Sequence, residues 1–245
     1  MRLKPFPAAL LALVLLAAGC GGDSDKSAAT QATTQQKTPS TSVRFRASDG
    51  VRLEGQFSPA GRGGRAPAVV LIHEYRGGPE QWEPLVPVLH RAGYAVLNYA
   101  SRSPEEIDET VLARDAIGAV AALRRRRDVD PDRIALVGAS IGGSTAVWVT
   151  GIHRRVPVRA AVGLSAVEGP ALIEAGTKGR FRPHDLLLIA DKKELSQAKN
   201  IREDAGGRGV TTWMSPFPGH GVRLLPSAQV RKQVLDWLRT HLSAT

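Results

Sequence analysis

A single cysteine, Cys20, stands in 245 residues. It excludes an intramolecular disulfide, so the fold must stand on its core alone. No metal-binding helix of the H-E-x-x-H kind accompanies the pair His73-Glu74, and no organic cofactor motif is present, so neither metal nor cofactor is expected. No internal repeat is visible. Acidic residues are in deficit, leaving a formal charge of +10. The basic residues are scattered apart from the run Arg124 to Arg127. That run ends a predicted helix, where cations suit the dipole. A solvated helix end is the plain reading, and docking on anionic lipid or cell-wall polymer is the alternative. Nucleic acid is not an expected partner for an exported chain.

Export is itself read from residues 1–19. Arg2 and Lys4 precede the apolar run Ala8 to Ala18, which falls short of the ~20 residues that a membrane-spanning helix needs. The pattern is that of a signal peptide. The segment Leu16-Ala17-Ala18-Gly19-Cys20 resembles a bacterial lipobox, although Ala17 holds the place usual for leucine. Cys20 is thus the expected site of lipidation, and several acyl chains on one residue hold a protein stably at a membrane. Residues 20–41 carry no aromatic and almost no branched apolar side chain, so they cannot bury enough surface to fold. They are expected to form a disordered tether with a reach of roughly 25 Å. The remainder, residues 42–245, suffices for one domain with a substantial core.

Within that domain, Val43–Phe45 and Val51–Phe57 alternate apolar and polar around Ser48-Asp49-Gly50, a hairpin signal. Ala68–Ile72, Val158–Leu164 and Leu186–Ala190 are continuous apolar runs, as expected of strands covered on both faces. Gly93–Leu97, Arg133–Val137 and Val210–Met214 are further strands. Helical spacing marks Trp82–Arg91, Glu105–Arg127 and Leu225–Leu242, with a short helix over Leu195–Ala205. After the hairpin, strand and helix alternate. That order predicts an α/β fold with a mostly parallel twisted sheet and helices on both faces.

The residues that carry chemistry follow the strand Arg133–Val137. Gly138-Ala139-Ser140-Ile141-Gly142-Gly143 leads into the apolar helix starting at Ser144. A serine between glycines Gly138 and Gly142, at a strand-to-helix turn, has the form of a nucleophile elbow. Serine at neutral pH is a weak nucleophile and needs a base, oriented by an acid. His220, in Pro218-Gly219-His220-Gly221 between the last strand and the last helix, is placed to be the base. Asp191 and Glu194 both follow the strand Leu186–Ala190. Aspartate is the commoner acid, which favours Asp191, whereas spacing favours Glu194. The oxyanion that forms on attack needs backbone donors. The N–H of Ile141, next to the serine, is one. A main-chain N–H in the loop His73–Gly78, with Tyr75 the leading choice, is the other. Tyr75, Trp82 and Trp148 are the aromatics that could line a substrate cleft, with ordinary packing as their plain alternative.

Together these motifs resemble the α/β-hydrolase superfamily, in its small dienelactone-hydrolase-like or esterase type. The resemblance runs over residues 43–243 and rests on His73–Gly78, Asp130–Arg133, Gly138–Gly143, the acid loop at 190–194 and Pro218–Leu225. It implies Ser140 as nucleophile, His220 as base and an acid at the position of Glu194. Dienelactone hydrolases carry a cysteine nucleophile where this chain has serine, so lactone specificity is not implied. About twenty residues separate Ser165 from Asp185, leaving room for a minimal cap only and an open cleft suited to small or medium acyl esters or thioesters. The expected function is a lipid-anchored serine hydrolase on the extracytoplasmic face of a bacterial membrane. Two alternatives stand beside it. One is a binding lipoprotein that keeps the scaffold but has lost the chemistry, because Lys192 and Lys193 sit beside the acid. The other is a serine peptidase or acyltransferase, which shares the same chemistry.

Overall fold

The computed structural model describes residues 38–61, 63–102, 108–153 and 155–243. The expected signal peptide, Cys20 and nearly all of the tether lie outside the described residues, as does the expected start of the long helix at Glu105. Eight strands, β1 (Thr41–Arg46), β2 (Arg52–Ser58), β3 (Ala66–Ile72), β4 (Ala95–Tyr99), β5 (Val129–Ala139), β6 (Ala160–Leu164), β7 (Leu186–Ala190) and β8 (Val210–Met214), form one sheet in the order β1-β2-β4-β3-β5-β6-β7-β8. The hairpin β1–β2 is antiparallel and joins β4 antiparallel; every other pairing is parallel.

Successive residues of a strand point to opposite faces, and the sheet uses both. Val70, Ile72, Leu136 and Leu188 pack on one face against Val120, Val147 and Ile201. These last three belong to helices α2 (Glu109–Arg124), α3 (Ile141–Ile152) and α5 (Leu195–Asp204). Val69, Leu71, Val137, Val162 and Leu187 pack on the other against Leu89, Val234 and Leu238, carried by α1 (Val86–Arg91) and α6 (Ala228–Leu242). Burial on both faces explains why the central strands read as unbroken apolar runs rather than as alternation.

Local differences from the sequence reading have plain causes. The expected helix Trp82–Arg91 is divided into a 3-10 turn, Pro79–Trp82, and α1. Pro87 suits the first turn of α1, where its missing N–H costs nothing. Among the described residues, the long helix begins at an Asp108 cap, whose carboxylate accepts from the N–H groups of Thr110 at 2.8 Å and Val111 at 3.3 Å. The connection between Ser165 and Asp185 contains a helix that the sequence reading left out, α4 (Pro170–Thr177). It is too short for a strong periodic signal.

Candidate active site

Ser140 lies between β5 and α3 with φ 51° and ψ −119°, a left-handed region that side chains adopt at a cost of order 1–3 kcal/mol. The glycines make that turn possible. A Cβ on Gly138 would lie 1.9 Å from the carbonyl oxygen of Gly142, and one on Gly142 would lie 2.2 Å from that of Ile72. No larger residue fits either place, because the obstacle is backbone. The turn lifts the Ser140 side chain above the carboxyl ends of the parallel strands.

His220 enters from the loop after β8. Its Nε2 is 2.8 Å from Ser140 Oγ, and its Nδ1 is 2.6 Å from Glu194 Oε1. An ionised carboxylate on one nitrogen fixes the other as acceptor: Nδ1–H donates to Glu194, leaving the Nε2 lone pair to take the serine hydroxyl hydrogen. His220 and Glu194 are each about one-third exposed, so the relay is partly open to solvent.

The two acids left open by the sequence occupy different positions. Glu194 touches the imidazole. Asp191 does not: its Oδ1 accepts from the N–H groups of Lys193 at 2.8 Å and Glu194 at 3.1 Å, and its Oδ2 accepts from Gly219 N–H at 3.2 Å. It therefore folds the turn that presents Glu194 and braces the residue before His220. Burial alone would push the Asp191 carboxyl up, but the three backbone donors outweigh it and hold the group below its ordinary value. Lys192 and Lys193 are exposed, and neither forms an ion pair with Glu194 or Asp191 among the described residues.

Ile141 is the first residue of α3, so its N–H has no partner inside the helix. Tyr75 and Ile141 line one small recess together with His73, Ser101, Arg102 and Thr145. Tyr75 is exposed, 39% of its surface being accessible. The other two aromatics require correction as cleft residues. Trp82 is fully buried on the α1–α6 face, among Leu85 and Leu89. Trp148 packs against the core on the α2–α3 face, with its indole nitrogen enclosed. Helical spacing put Trp82 on an apolar stripe, and that stripe faces the sheet.

Several contributors escaped the sequence reading. His73 Nδ1 is 2.8 Å from the carbonyl oxygen of Glu74, which makes it the donor, and Nε2 accepts from Ser101 N–H at 3.0 Å. The ring ties the loop carrying Tyr75 to the loop after β4. Arg102 donates from its N–H and Nε to the two oxygens of Asp115 at 2.9 and 2.8 Å, and from Nη1 to Asp49 at 2.9 Å. Asp115 is fully buried, and the Arg102 guanidinium beside Asp49 holds that carboxyl below its ordinary value. These partners are far apart in sequence, and no local pattern announces them.

No protein-family model matches the chain. Over 128 residues the sequence is 34% identical to the uncharacterized protein YfhR of Escherichia coli K12, a match over 49% of this chain and 45% of that protein. Over 131 residues it is 30% identical to the thiohydrolase aneE of Aspergillus aculeatus, covering 50% and 40% respectively. The chain thus spans less than half the length of these curated relatives. In three dimensions it is similar to a dienelactone hydrolase from Anabaena variabilis, with a TM-score of 0.67 and 20% identity over 84% of this chain and 99% of that one. It is also similar to a Pyrococcus furiosus esterase, with a TM-score of 0.68 and 16% identity over 84% and 94%. The mostly parallel eight-stranded sheet, its antiparallel opening hairpin and these neighbours agree on one architecture: the chain has the α/β-hydrolase fold.

Proposed function

We propose that the protein is a serine hydrolase of small or medium carboxylic esters or thioesters. The reading is carried by one observation, the unbroken relay from Ser140 Oγ through His220 to Glu194 at 2.8 and 2.6 Å. In the proposed reaction Ser140 Oγ attacks the acyl carbon while His220 Nε2 takes its proton. The carbonyl oxygen becomes an oxyanion, facing the N–H of Ile141 and that of Tyr75. Removing one such donor typically costs ~3 kcal/mol of transition-state stabilisation. The imidazolium, stabilised by Glu194, returns the proton to the leaving alkoxide or thiolate as the bond from acyl carbon to leaving group breaks. Water, deprotonated by the same His220, then releases the acid from the acyl-serine.

The esterase and dienelactone hydrolase neighbours support an acyl-hydrolase reading of the fold, and the partial similarity to a thiohydrolase supports thioesters within the substrate range. The proposal includes export and a lipid anchor at Cys20, on the strength of residues 1–20 alone. Labelling by a fluorophosphonate probe tests the chemistry. Covalent labelling of the wild type that disappears in Ser140→Ala is expected. A wild-type protein that resists the probe overturns the reading and leaves a binding scaffold in its place.

A further inference from the structure

The parallel strands divide the molecule into two rims about 20 Å apart, given seven residues in β3 at ~3.3 Å each. Ser140, Glu194 and His220 stand at the carboxyl-end rim. The amino-end rim is strongly basic. Arg124 ends α2, Arg125 and Arg127 follow it, Arg155 and Arg159 precede β6, and Arg208 precedes β8. All six are exposed. None of the six has an ion-pair partner among the described residues, whereas the carboxylates Asp128 and Asp130 of the same rim are taken by Arg126 and Arg133. Helix dipoles favour a cation or two at each helix end, but Arg159 and Arg208 lie at strand entrances. The chain also enters the fold here. Thr41 pairs with Phe57, and β2 closes at Ser58 opposite Val96, near the start of β4, so the segment before Thr41 joins the domain at the basic rim.

We infer that the amino-end rim is a docking surface for an anionic lipid bilayer, holding the domain with its reactive serine turned toward the aqueous side. Negative headgroups attract clustered arginines over about a Debye length, and each basic residue near such a surface contributes about fivefold in binding. The inference deepens the proposed function. Substrates would arrive from solution rather than out of the bilayer, in keeping with the partly solvent-exposed relay.

The test uses the full chain carrying Cys20→Ser, so that no acyl group contributes, with vesicles of phosphatidylcholine alone or with about 30% phosphatidylglycerol. Binding that requires phosphatidylglycerol and is lost between roughly 25 and 500 mM salt is expected. Arg125→Glu/Arg127→Glu is expected to weaken it at least tenfold. Arg46→Glu/Arg52→Glu, the same charge change on the opposite rim, is expected to weaken it less than about threefold. Arg155→Glu/Arg208→Glu repeats the first arm at other elements, should the first pair lower the melting temperature. Hydrolysis of a soluble ester by vesicle-bound protein should match that of free protein. Equal losses for the two rims, indifference to phosphatidylglycerol, binding to soluble polyphosphate but not to vesicles, or inhibition by anionic vesicles would each overturn the inference. Fluorophosphonate labelling of the same variants keeps a failure here distinct from a failure of the hydrolase reading.

Discussion

At the carboxyl-end rim, three charged groups are each held by partners, although Lys192 and Lys193 beside them are exposed. Asp191 is occupied by three backbone N–H groups, Glu194 by His220, and Arg102 by Asp115 and Asp49. At the amino-end rim, arginines project into solvent. Backbone strain does not separate the rims, since Asp185 before β7, at φ 47°, is as far into the positive region as Ser140 at φ 51°. Both rims are loops hung on the same strands, so the fold alone does not dictate this contrast. Geometry is fixed where atoms must meet within a few tenths of an ångström. Where only a field is needed, charge is left free. The two rims should accordingly respond to substitution in opposite ways.

The largest difference is expected at Ser140. Ser140→Ala should lower turnover of a p-nitrophenyl ester at least about a thousandfold with little change in melting temperature, because among the described residues the hydroxyl hydrogen-bonds to His220 alone. Next comes Glu194→Gln. It keeps the shape but removes the charge that stabilises the imidazolium, and an amide can face the ring with either its oxygen or its NH2 group. Turnover should fall about a hundredfold or more, with KM little changed. If Asp191→Asn instead proved the more damaging to turnover, the assignment of roles between the two acids would be reversed.

How much of this was legible in the sequence depends on the range of the forces involved. The strand β7 coincides with its apolar run, and the glycine-flanked Ser140 signals its turn, because strand burial and backbone collision are local matters. His220 could be singled out because glycines on either side allow one loop to carry it over the sheet. The choice between Asp191 and Glu194 could not be made locally. Both follow β7, and only the position of Gly219, 28 residues on from Asp191, shows which acid braces and which one touches the ring. The Arg102–Asp115 pair was invisible for the same reason, and Trp82 misled because an apolar stripe does not say which surface it meets.

Arg102→Ala gives the next effect. It would leave the fully buried Asp115 carboxylate without its cation. Stripping one member from a buried pair costs ~3–5 kcal/mol, and the partial exposure of Arg102 brings the expectation to the lower end, about 3 kcal/mol, read as a fall in denaturation midpoint. Asp191→Asn should cost less, about 1–2 kcal/mol at neutral pH, the value of hydrogen bonds accepted by a charged group. Its pH dependence carries a sign. The folded carboxyl titrates below its unfolded value of about 4, so its contribution is complete above that pH and disappears as pH falls through the lower, folded value. Stability curves of wild type and Asp191→Asn should therefore lie apart at pH 7 and converge in acid. Curves that stay parallel would show that the brace does not depend on ionisation.

The smallest effect is the sharpest test of the contrast, because it repeats the Arg102 substitution on the other rim. Arg125 caps the carboxyl end of α2, is exposed, and has no ion-pair partner among the described residues. Arg125→Ala removes one cation near a helix terminus, a favourable position at the level of ~0.3–1 kcal/mol in low salt, and buries no orphaned charge. The expected loss is at most about 0.5 kcal/mol at physiological ionic strength, shrinking further as salt is raised. The same residue type and the same truncation would thus differ several-fold in stability between the two rims, and in opposite proportion in their effect on binding to anionic vesicles. An Arg125→Ala loss as large as that of Arg102→Ala would mean that the basic rim is held together by its arginines. A free field aimed at lipid would then no longer describe it.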